Sequence, residues 1–385
     1  MVEALKAFQK PEYLKILSME IDLLNKLYGK KSHPYFVYAP RWIDSSAGIK
    51  ALHFLCHSIN MMGHKSFLVM TEASHLGEPR INPNLNTPIL NQEISDSYFK
   101  AGIKPVVVYS ETIPGNPLNA SFVVRYLMNY SGALGGQRIF QEDEYVMAFS
   151  KKIAEDYAAV TETEEPRVLF LPPIDPREFS RTIHKEPYQV VYAGKYRSFV
   201  GKPPTVGTLP TVEIFRDGPK MQSRDQVKEI LKNATILYAF ENSSIVTESI
   251  LSGTPARFVP NEFLGEIIAE VELGNGGIVS GDTAVDLYAA QKSIDLGIEK
   301  YHESIETYQV ELASFIQITQ ERASVEGYTI PIVVPIHDQL FSKHRLGLAM
   351  QILKNQGIRR LSRVTLHFAL RRLSWRFWLG REAKR

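Results

Sequence analysis

Glu241-Asn242-Ser243-Ser244-Ile245-Val246-Thr247-Glu248-Ser249-Ile250-Leu251-Ser252-Gly253-Thr254-Pro255 is the stretch whose reading decides the fold of this chain. It follows an apolar strand pattern over residues 235–239 that runs on to Phe240. Small hydroxyl residues at a strand-to-helix turn supply an N-cap and leave backbone N–H groups free. The spacing predicts a helix over 244–251. Gly253-Thr254-Pro255 stops it, and residues 256–259 read as the next strand. Strand, polar turn, helix and strand in succession form the unit of a parallel α/β sheet.

The same alternation extends in both directions. Toward the N-terminus it predicts strands over 189–193 and 211–215 and a helix over 225–232. Farther back, strands are expected over 35–38, 66–70, 105–110, 145–149 and 167–171, with a helix after the first of them to about Met62. Beyond residue 259 a turn at 274–277 leads to Ile278-Val279, and helical patterns run over 284–321. Leu171-Pro172-Pro173-Ile174-Asp175-Pro176 punctuates the middle. Three prolines in that span cannot continue a helix or a central strand. Two α/β units are therefore expected, 1–172 and 173–345, with a basic tail over 346–385.

The 385 residues are enough for two domains with cores of their own. Cys56 is the only cysteine, so no intrachain disulfide forms; it lies in the apolar-periodic stretch 52–62 and reads as a buried helix residue. Residues 1–15 are polar, with no apolar signal core, and no apolar run approaches the ~18 residues of a bilayer span. A cytoplasmic protein is the expectation. The net charge of +2 is unevenly spread: residues 359–385 hold nine basic residues and one acid, Glu382, a net of +8, which leaves −6 for the rest. A mildly acidic body with a basic tail points to a local anionic contact and away from a general nucleic-acid binder.

The polar turns after strands carry the chemistry. In an open α/β sheet, ligands bind at the carboxyl ends of strands. Free N–H groups at the Ser243–Thr247 turn suit a phosphate or diphosphate. Glu248, one to two turns into the helix, can accept both hydroxyls of a ribose, and Glu241 at the strand end can hold hydroxyls of a sugar. The strand over 189–193 ends in Gly194-Lys195, with Arg197 two residues on. Either cation can neutralise charge that grows on a leaving group. Arg216 ends another strand and reads either as a contact to base or phosphates or as a surface salt bridge. In the first unit, Asp44-Ser45-Ser46-Ala47-Gly48 lies between strand and helix. It is no P-loop, because the Lys-Ser/Thr ending is absent. Asp44 is a general base on an acceptor hydroxyl or a helix N-cap, and both readings stand. Glu111-Thr112-Ile113-Pro114-Gly115-Asn116-Pro117 follows the strand over 105–110. Glu111 is the second candidate base; Asn116 is an acceptor contact or only a turn residue. Arg125 and His75 complete the acceptor-side candidates.

No metal site is expected. His53, His57, His64 and His75 form no ligand set with acids or cysteines, and His-Glu-x-x-His is absent. Glu142-Asp143-Glu144 reads as a solvated turn.

On Glu241 to Pro260 and Val190-Val191-Tyr192-Ala193-Gly194-Lys195, the chain resembles GT-B glycosyltransferases, in which a Glu precedes a Ser-rich turn and a second Glu precedes a small-Gly-x-Pro helix end. In the retaining family 4 enzymes the two acids are eight positions apart; Glu241 and Glu248 are seven apart. The stretch after residue 110 also resembles, more distantly, rhamnosyltransferase-like enzymes of bacterial surface polysaccharide biosynthesis. The resemblance implies an α/β GT-B fold: two facing Rossmann-like domains, a central cleft and a C-terminal helical extension. It implies hexosyl or deoxyhexosyl transfer from a nucleotide diphosphate-sugar to a polysaccharide or lipid-linked glycan; the missing ligand spacing makes the expected transfer metal-independent, with the nucleotide-sugar as substrate and no separate cofactor. The donor residues it implies are Gly194, Lys195, Arg197, Arg216, Glu241, Asn242, Ser243, Ser244, Thr247 and Glu248. The acceptor side takes Asp44, Ser45, Ser46, Gly48, His75, Glu111, Asn116 and Arg125, and Glu111, Asp44 and Glu241 are the catalytic candidates. A sugar-nucleotide epimerase or pyruvyltransferase on the same frame is the alternative, as is a non-catalytic, membrane-docked glycan-binding protein.

Leu366, Leu370, Leu373 and Phe377 share one helical stripe of the tail, and Val364, Phe368, Trp375 and Leu379 nearly the opposite one. One stripe packs on the protein and the other, with Trp378 and the arginines, meets an anionic membrane surface at the inner face of the cytoplasmic membrane, or the tail is a core-packed helix with a basic end.

Overall fold

The computed structural model describes residues 32–71, 81–216, 218–262, 264, 266–325 and 331–334, without the side chains of 195, 198 and 199. His75 and the whole tail therefore lie outside the described residues.

The first unit is built on strands β1 (Tyr35–Ala39), β2 (Ser66–Met70), β3 (Val106–Ser110), β4 (Val123–Leu127), β5 (Tyr145–Ala148) and β6 (Arg167–Val168), with helices α1 (Ala47–Met61), α2 (Gln92–Lys100) and α3 (Lys151–Thr161). The strands pair in parallel in the order β2-β1-β3-β4-β5-β6. Tyr35, Phe36, Val37, Tyr38 and Ala39 are all buried, as are all five residues of β3. Continuous apolar runs are what a parallel sheet covered on both faces requires. Alternation along β1 assigns the faces. Tyr35, Val37 and Ala39 pack with Leu52, Leu55 and Ile59 of α1. Phe36 and Tyr38 pack with Leu90, Val107, Tyr109 and Ile332, with Ile94 and Tyr98 of α2 alongside. Cys56 is buried among the first group, and burial pushes its thiol up to about 12, the packing role expected of it. Ser46 and Asn91 cap α1 and α2, each accepting from the backbone three residues on.

Sequence reading missed β4. Arg125 interrupts its apolar run, so the segment did not read as a strand. In the structure Arg125 is fully buried and its charge is matched. Its guanidinium donates to Glu144 at 2.7 and 2.9 Å, to the Ile113 carbonyl at 2.7 Å and to the Gly115 carbonyl, and it lies 4.9 and 5.0 Å from the ring centres of Tyr109 and Phe140. Glu144, read as part of a solvated turn, is the buried counter-ion. The strand expected over 167–171 leaves the sheet after Val168, ahead of the prolines.

The linker runs through a single 3₁₀ turn, Pro176–Glu178. The second unit follows with β7 (Gln189–Tyr192), α4 (Gly194–Phe199), β8 (Thr211–Glu213), α5 (Arg224–Asn233), β9 (Ile236–Ala239), α6 (Ser244–Leu251), β10 (Ala256–Phe258), α7 (Glu270–Leu273), α8 (Ala284–Lys292) and α9 (Ile294–Ser324). Its sheet is parallel in the order β10-β9-β7-β8. Helix α6 spans the residues its sequence predicts. Residues 284–321 form two helices, broken at Ser293, which ends α8 and opens α9. The α/β architecture of two parallel sheets expected from sequence is thus present.

Helix α9 ties the units together. Its first turns pack on the second unit: Tyr301 shares a cluster with Leu251 and Ile174, and its hydroxyl bonds both the N–H and the carbonyl of Ile174. From Tyr308 onward it packs on the first unit, where Leu312, Phe315 and Ile316 join the core beneath β1. Thr319 bonds the Tyr35 hydroxyl at 2.7 Å, and Gln320 holds the backbone of His33 at both ends. The second half of α9 therefore belongs to the first unit's core, although the sequence placed all of 173–345 in the second. A smaller contact joins α7 to α3, with Glu272 accepting from the Lys151 N–H at 2.7 Å and Glu270 pairing with Lys152 at 2.8 Å.

Gly297 sets how closely α9 approaches the 274–277 turn. A Cβ there would stand 2.9 Å from the Gly276 carbonyl carbon and 3.0 Å from Ile250 Cγ2. Glycine to alanine inside a helix normally gains up to about 1 kcal/mol. Here the backbone collision reverses the sign, and Gly297→Ala is expected to lose about 1–3 kcal/mol in a urea titration. A gain in that titration would show that α9 shifts without cost.

Candidate functional site

Both sheets follow the flavodoxin-like order, in which the first strand of the unit lies between the second and the third. Ligands bind such sheets beyond the carboxyl ends of the strands where the order reverses, between first and third. In the second unit that point lies between β7 and β9, so the turns at 193–194 and 240–243 flank it. Sequence reading singled out the same two turns.

The two turns meet through Glu241 and Gly194. Glu241 is 9% exposed, and its carboxylate lies over Gly194, which has a φ of +46°. A Cβ on residue 194 would be 2.5 Å from Glu241 Cδ and 3.0 Å from Oε2. Only glycine leaves the carboxylate this place. The phenol of Tyr192, the last residue of β7, lies within electrostatic reach of Glu241 and beside the Ser243 side chain. Burial, reinforced by the Glu241 charge, holds that phenol well above the ordinary tyrosine range. Sequence reading passed over Tyr192 as a strand residue; its place at the carboxyl end of β7, directly before Ala193-Gly194, is the signal that marks it.

Ser243 takes the N-cap backbone conformation of α6, yet its side chain makes no capping bond. Asn242 points away from the helix: its amide donates to the Glu266 carbonyl at 2.7 Å, and its oxygen accepts from the Ile268 N–H at 3.1 Å. Asn242 thereby fixes the turn to the segment that leads into α7. Thr247 is half-buried one turn into α6.

Glu248 is buried and faces two cations. Arg216 approaches it at 3.4 and 3.5 Å, and Lys50 of α1, in the first unit, at 3.7 Å. The Ser244 hydroxyl is 3.4 Å from both Glu248 Oε1 and Lys50 Nζ. Of the two readings of Arg216, the structure supplies the ion pair, placed inside the site. Arg197 pairs with Glu213 through two nitrogens and stacks 5.3 Å from the Phe215 ring centre. Lys195 lies in the first turn of α4.

The first unit turns its own reversal point, between β1 and β3, to the loops at 40–46 and 111–122. Asp44 is exposed and accepts from Trp42 Nε1 at 3.0 Å. The cap on α1 is Ser46, not Asp44. Ser45 and Gly48 are half-buried beside it, and Gly48 would place a Cβ 3.7 Å from Met128. Glu111 is 2% exposed and accepts from the Met128 N–H at 3.0 Å. The loop over 129–138 folds across it: a Cβ on Gly136 would be 2.9 Å from the Glu111 carbonyl carbon. Two acceptor-side readings are corrected. Arg125 is enclosed by the partners described above and reaches no solvent. Asn116 spends its side chain on its own loop, bonding both backbone groups of Ala120 and the Tyr109 hydroxyl. His53 donates from Nε2 to the Pro40 carbonyl at 2.8 Å, and burial keeps its imidazole below the usual range. Among the described residues no three His, Cys, Asp or Glu side chains gather as a metal site, and no helix is long and apolar enough to cross a membrane.

The sequence matches no family model and no curated protein. Solved structures similar in overall shape include WaaG, a glycosyltransferase involved in lipopolysaccharide biosynthesis, at 13% identity and a TM-score of 0.41 over 76% of this chain and 100% of that one. T4 phage BGT in complex with UDP-glucose aligns at 8% identity and a TM-score of 0.41 over 76% and 100%. A putative UDP-N-acetylglucosamine 2-epimerase from Listeria monocytogenes aligns at 10% identity and a TM-score of 0.36 over 79% and 100%. Overlays this loose add nothing to what the chain's own two sheets establish.

Proposed function

We propose that this chain is a GT-B glycosyltransferase that moves a sugar from a nucleoside diphosphate donor to a glycan or lipid-linked acceptor. One observation carries the reading. At the reversal point of the second sheet, a buried carboxylate held over a glycine adjoins a helix start flanked by cations. A carboxylate accepts sugar hydroxyls, and cations beside helix N–H groups suit a diphosphate. In this reading Glu241 grips the donor sugar, Ser243 and Ser244 receive the diphosphate, and Glu248 takes the ribose once the cations turn to phosphate. The charge that develops on the leaving diphosphate is met by fixed dipoles and cations, without a metal or separate cofactor. The acceptor enters on the side of Asp44, which is exposed, whereas Glu111 is closed over by the 129–138 loop. The basic tail supports work at an anionic membrane surface, on an acceptor of the bacterial cell envelope.

Melting curves with a panel of nucleoside diphosphates test the donor site. A matching nucleotide at 100 times its Kd is expected to add about 2.7 kcal/mol of stability. Glu241→Ala is expected to abolish sugar transfer and donor hydrolysis while the fold stays intact. Unchanged turnover in that variant, or no shift with any nucleotide, sinks the assignment.

A further inference from the structure

Away from the site, the second unit also meets the first where α7 lies on the start of α3, and that junction is built around acids. Ile268, just before α7, packs with Ile153, Ala154 and Tyr157 of α3. Leu273 turns the other way, to Tyr301 and Ile298 of α9. Between them Glu272 sets Oε1 on the Lys151 N–H at 2.7 Å. Ser150 holds the N-cap position of α3 but makes no capping bond, and the first turn of α3 carries no acid. A carboxyl group of the second unit thus takes the place of a helix cap in the first. The seat suits a full negative charge poorly. Glu272 Oε2 and Ser150 Oγ are both buried, and neither has a hydrogen-bond partner among the described residues. A buried carboxylate oxygen with no donor costs free energy, whereas a neutral carboxyl group brings a donor of its own. Two lysines open α3, but Lys151 pairs with Glu165 and Glu155, and Lys152 with Glu270 at 2.8 Å and Glu266 at 3.6 Å. Glu155 of α3 and Lys300 and Glu311 of α9 also act on Glu272. Glu311 accepts from the Phe170 N–H at 3.0 Å and adds a second acid to the junction. Burial, helped by Glu155, outweighs the Lys151 N–H and Lys300 and holds the Glu272 carboxyl above the usual glutamate range. Burial does the same to Glu311, with Glu272 adding to it.

We infer that the α7–α3 junction is an acid-favoured clasp between the two units, in which Glu272 takes up a proton from solvent as it seats on the start of α3 and returns it when the junction opens. This goes beyond the sugar-transfer reading and does not depend on it. Opening returns Glu272 to water and to the usual glutamate range, so the seated form binds the proton more tightly. The clasp is therefore firmest below that range and loosens as the pH rises through the raised value. The Lys152–Glu270 pair works across the same junction without offsetting this. Each partner draws the other's titration outward, Glu270 downward and Lys152 upward, so both stay charged throughout the window.

Amide hydrogen exchange of the full chain, corrected for the intrinsic rate at each pH, reads the junction at the first turn of α3. Protection there is expected to rise roughly three- to tenfold between about pH 8 and about pH 5, with a smaller change in β3. Glu272→Gln keeps an acceptor for the Lys151 N–H and adds a permanent donor. It is expected to hold the acid level of protection at both pH values. A cap that works only as an anion behaves in the opposite way and loses protection in acid. That outcome in the parent overturns the inference, as does a flat profile or a rise that β3 shares equally. A Glu272→Gln profile that follows the parent's also overturns it, since the titrating group then lies elsewhere. Should Glu272→Gln fail to fold, the parent's profile decides alone.

Discussion

Arg125→Met is expected to cost about 3–5 kcal/mol of unfolding free energy, because it leaves Glu144 buried without a counter-charge. Glu144 has 7% side-chain exposure, and two loop carbonyls, those of Ile113 and Gly115, lose their donor at the same time. Methionine restores part of the contact with Tyr109 and Phe140 but none of the hydrogen bonds. Arg125→Lys recovers little, since a single ammonium cannot reach Glu144 and both carbonyls in the planar geometry of a guanidinium. The double variant Arg125→Met/Glu144→Leu is expected to be more stable than Arg125→Met alone, because the stranded charge is gone. Denaturant midpoints of the four proteins decide the matter. An Arg125→Met midpoint close to that of the parent would show that Glu144 turns out to solvent.

Gly194→Ala is the companion case, with the loss in activity instead of stability. A non-glycine residue near the left-handed helical region costs about 1–2 kcal/mol, which a domain stable by roughly 5–15 kcal/mol survives. The new methyl group cannot share space with the Glu241 carboxylate, and a side chain yields more readily than the β7–α4 turn. Glu241 is therefore displaced from its place over residue 194. A shift of about 1 Å at a site that positions substrate can lower turnover ~100-fold. Sugar transfer is expected to fall by that order while the melting temperature drops by a few degrees. Full transfer activity in Gly194→Ala would show that the placement of Glu241 has no bearing on the chemistry.

The legible parts of this fold are those with a local cause. Helix α6 was readable to the residue, because a Ser-rich turn opens it and Gly253-Thr254-Pro255 closes it. Strands β2 and β7 were readable because unbroken apolar runs in a parallel sheet need no partner to be recognised. Strand β4 was not, because the charge of Arg125 is cancelled by Glu144, nineteen residues on, and by carbonyls of another loop. The break at Ser293 was hidden because helical periodicity continues on both sides of it. At the site, the meeting of Glu241 with Gly194 lay within reach of sequence, since both flank a sheet reversal. Lys50 did not, since a lysine in an amphipathic helix ordinarily faces water; its partners come from a helix almost two hundred residues later. The unfavourable first-turn position was the one local hint.

The path of α9 has a mechanical consequence. The chain passes into the second unit through the proline-rich linker and comes back along α9, whose far end is fixed to Tyr35 of β1 by Thr319 and to His33, just before β1, by Gln320. The second unit is thus an insertion carried on two struts. The contact between α7 and α3 adds a further support between the two units. A cut in the linker near Pro172 therefore leaves the second unit attached to the first through α9.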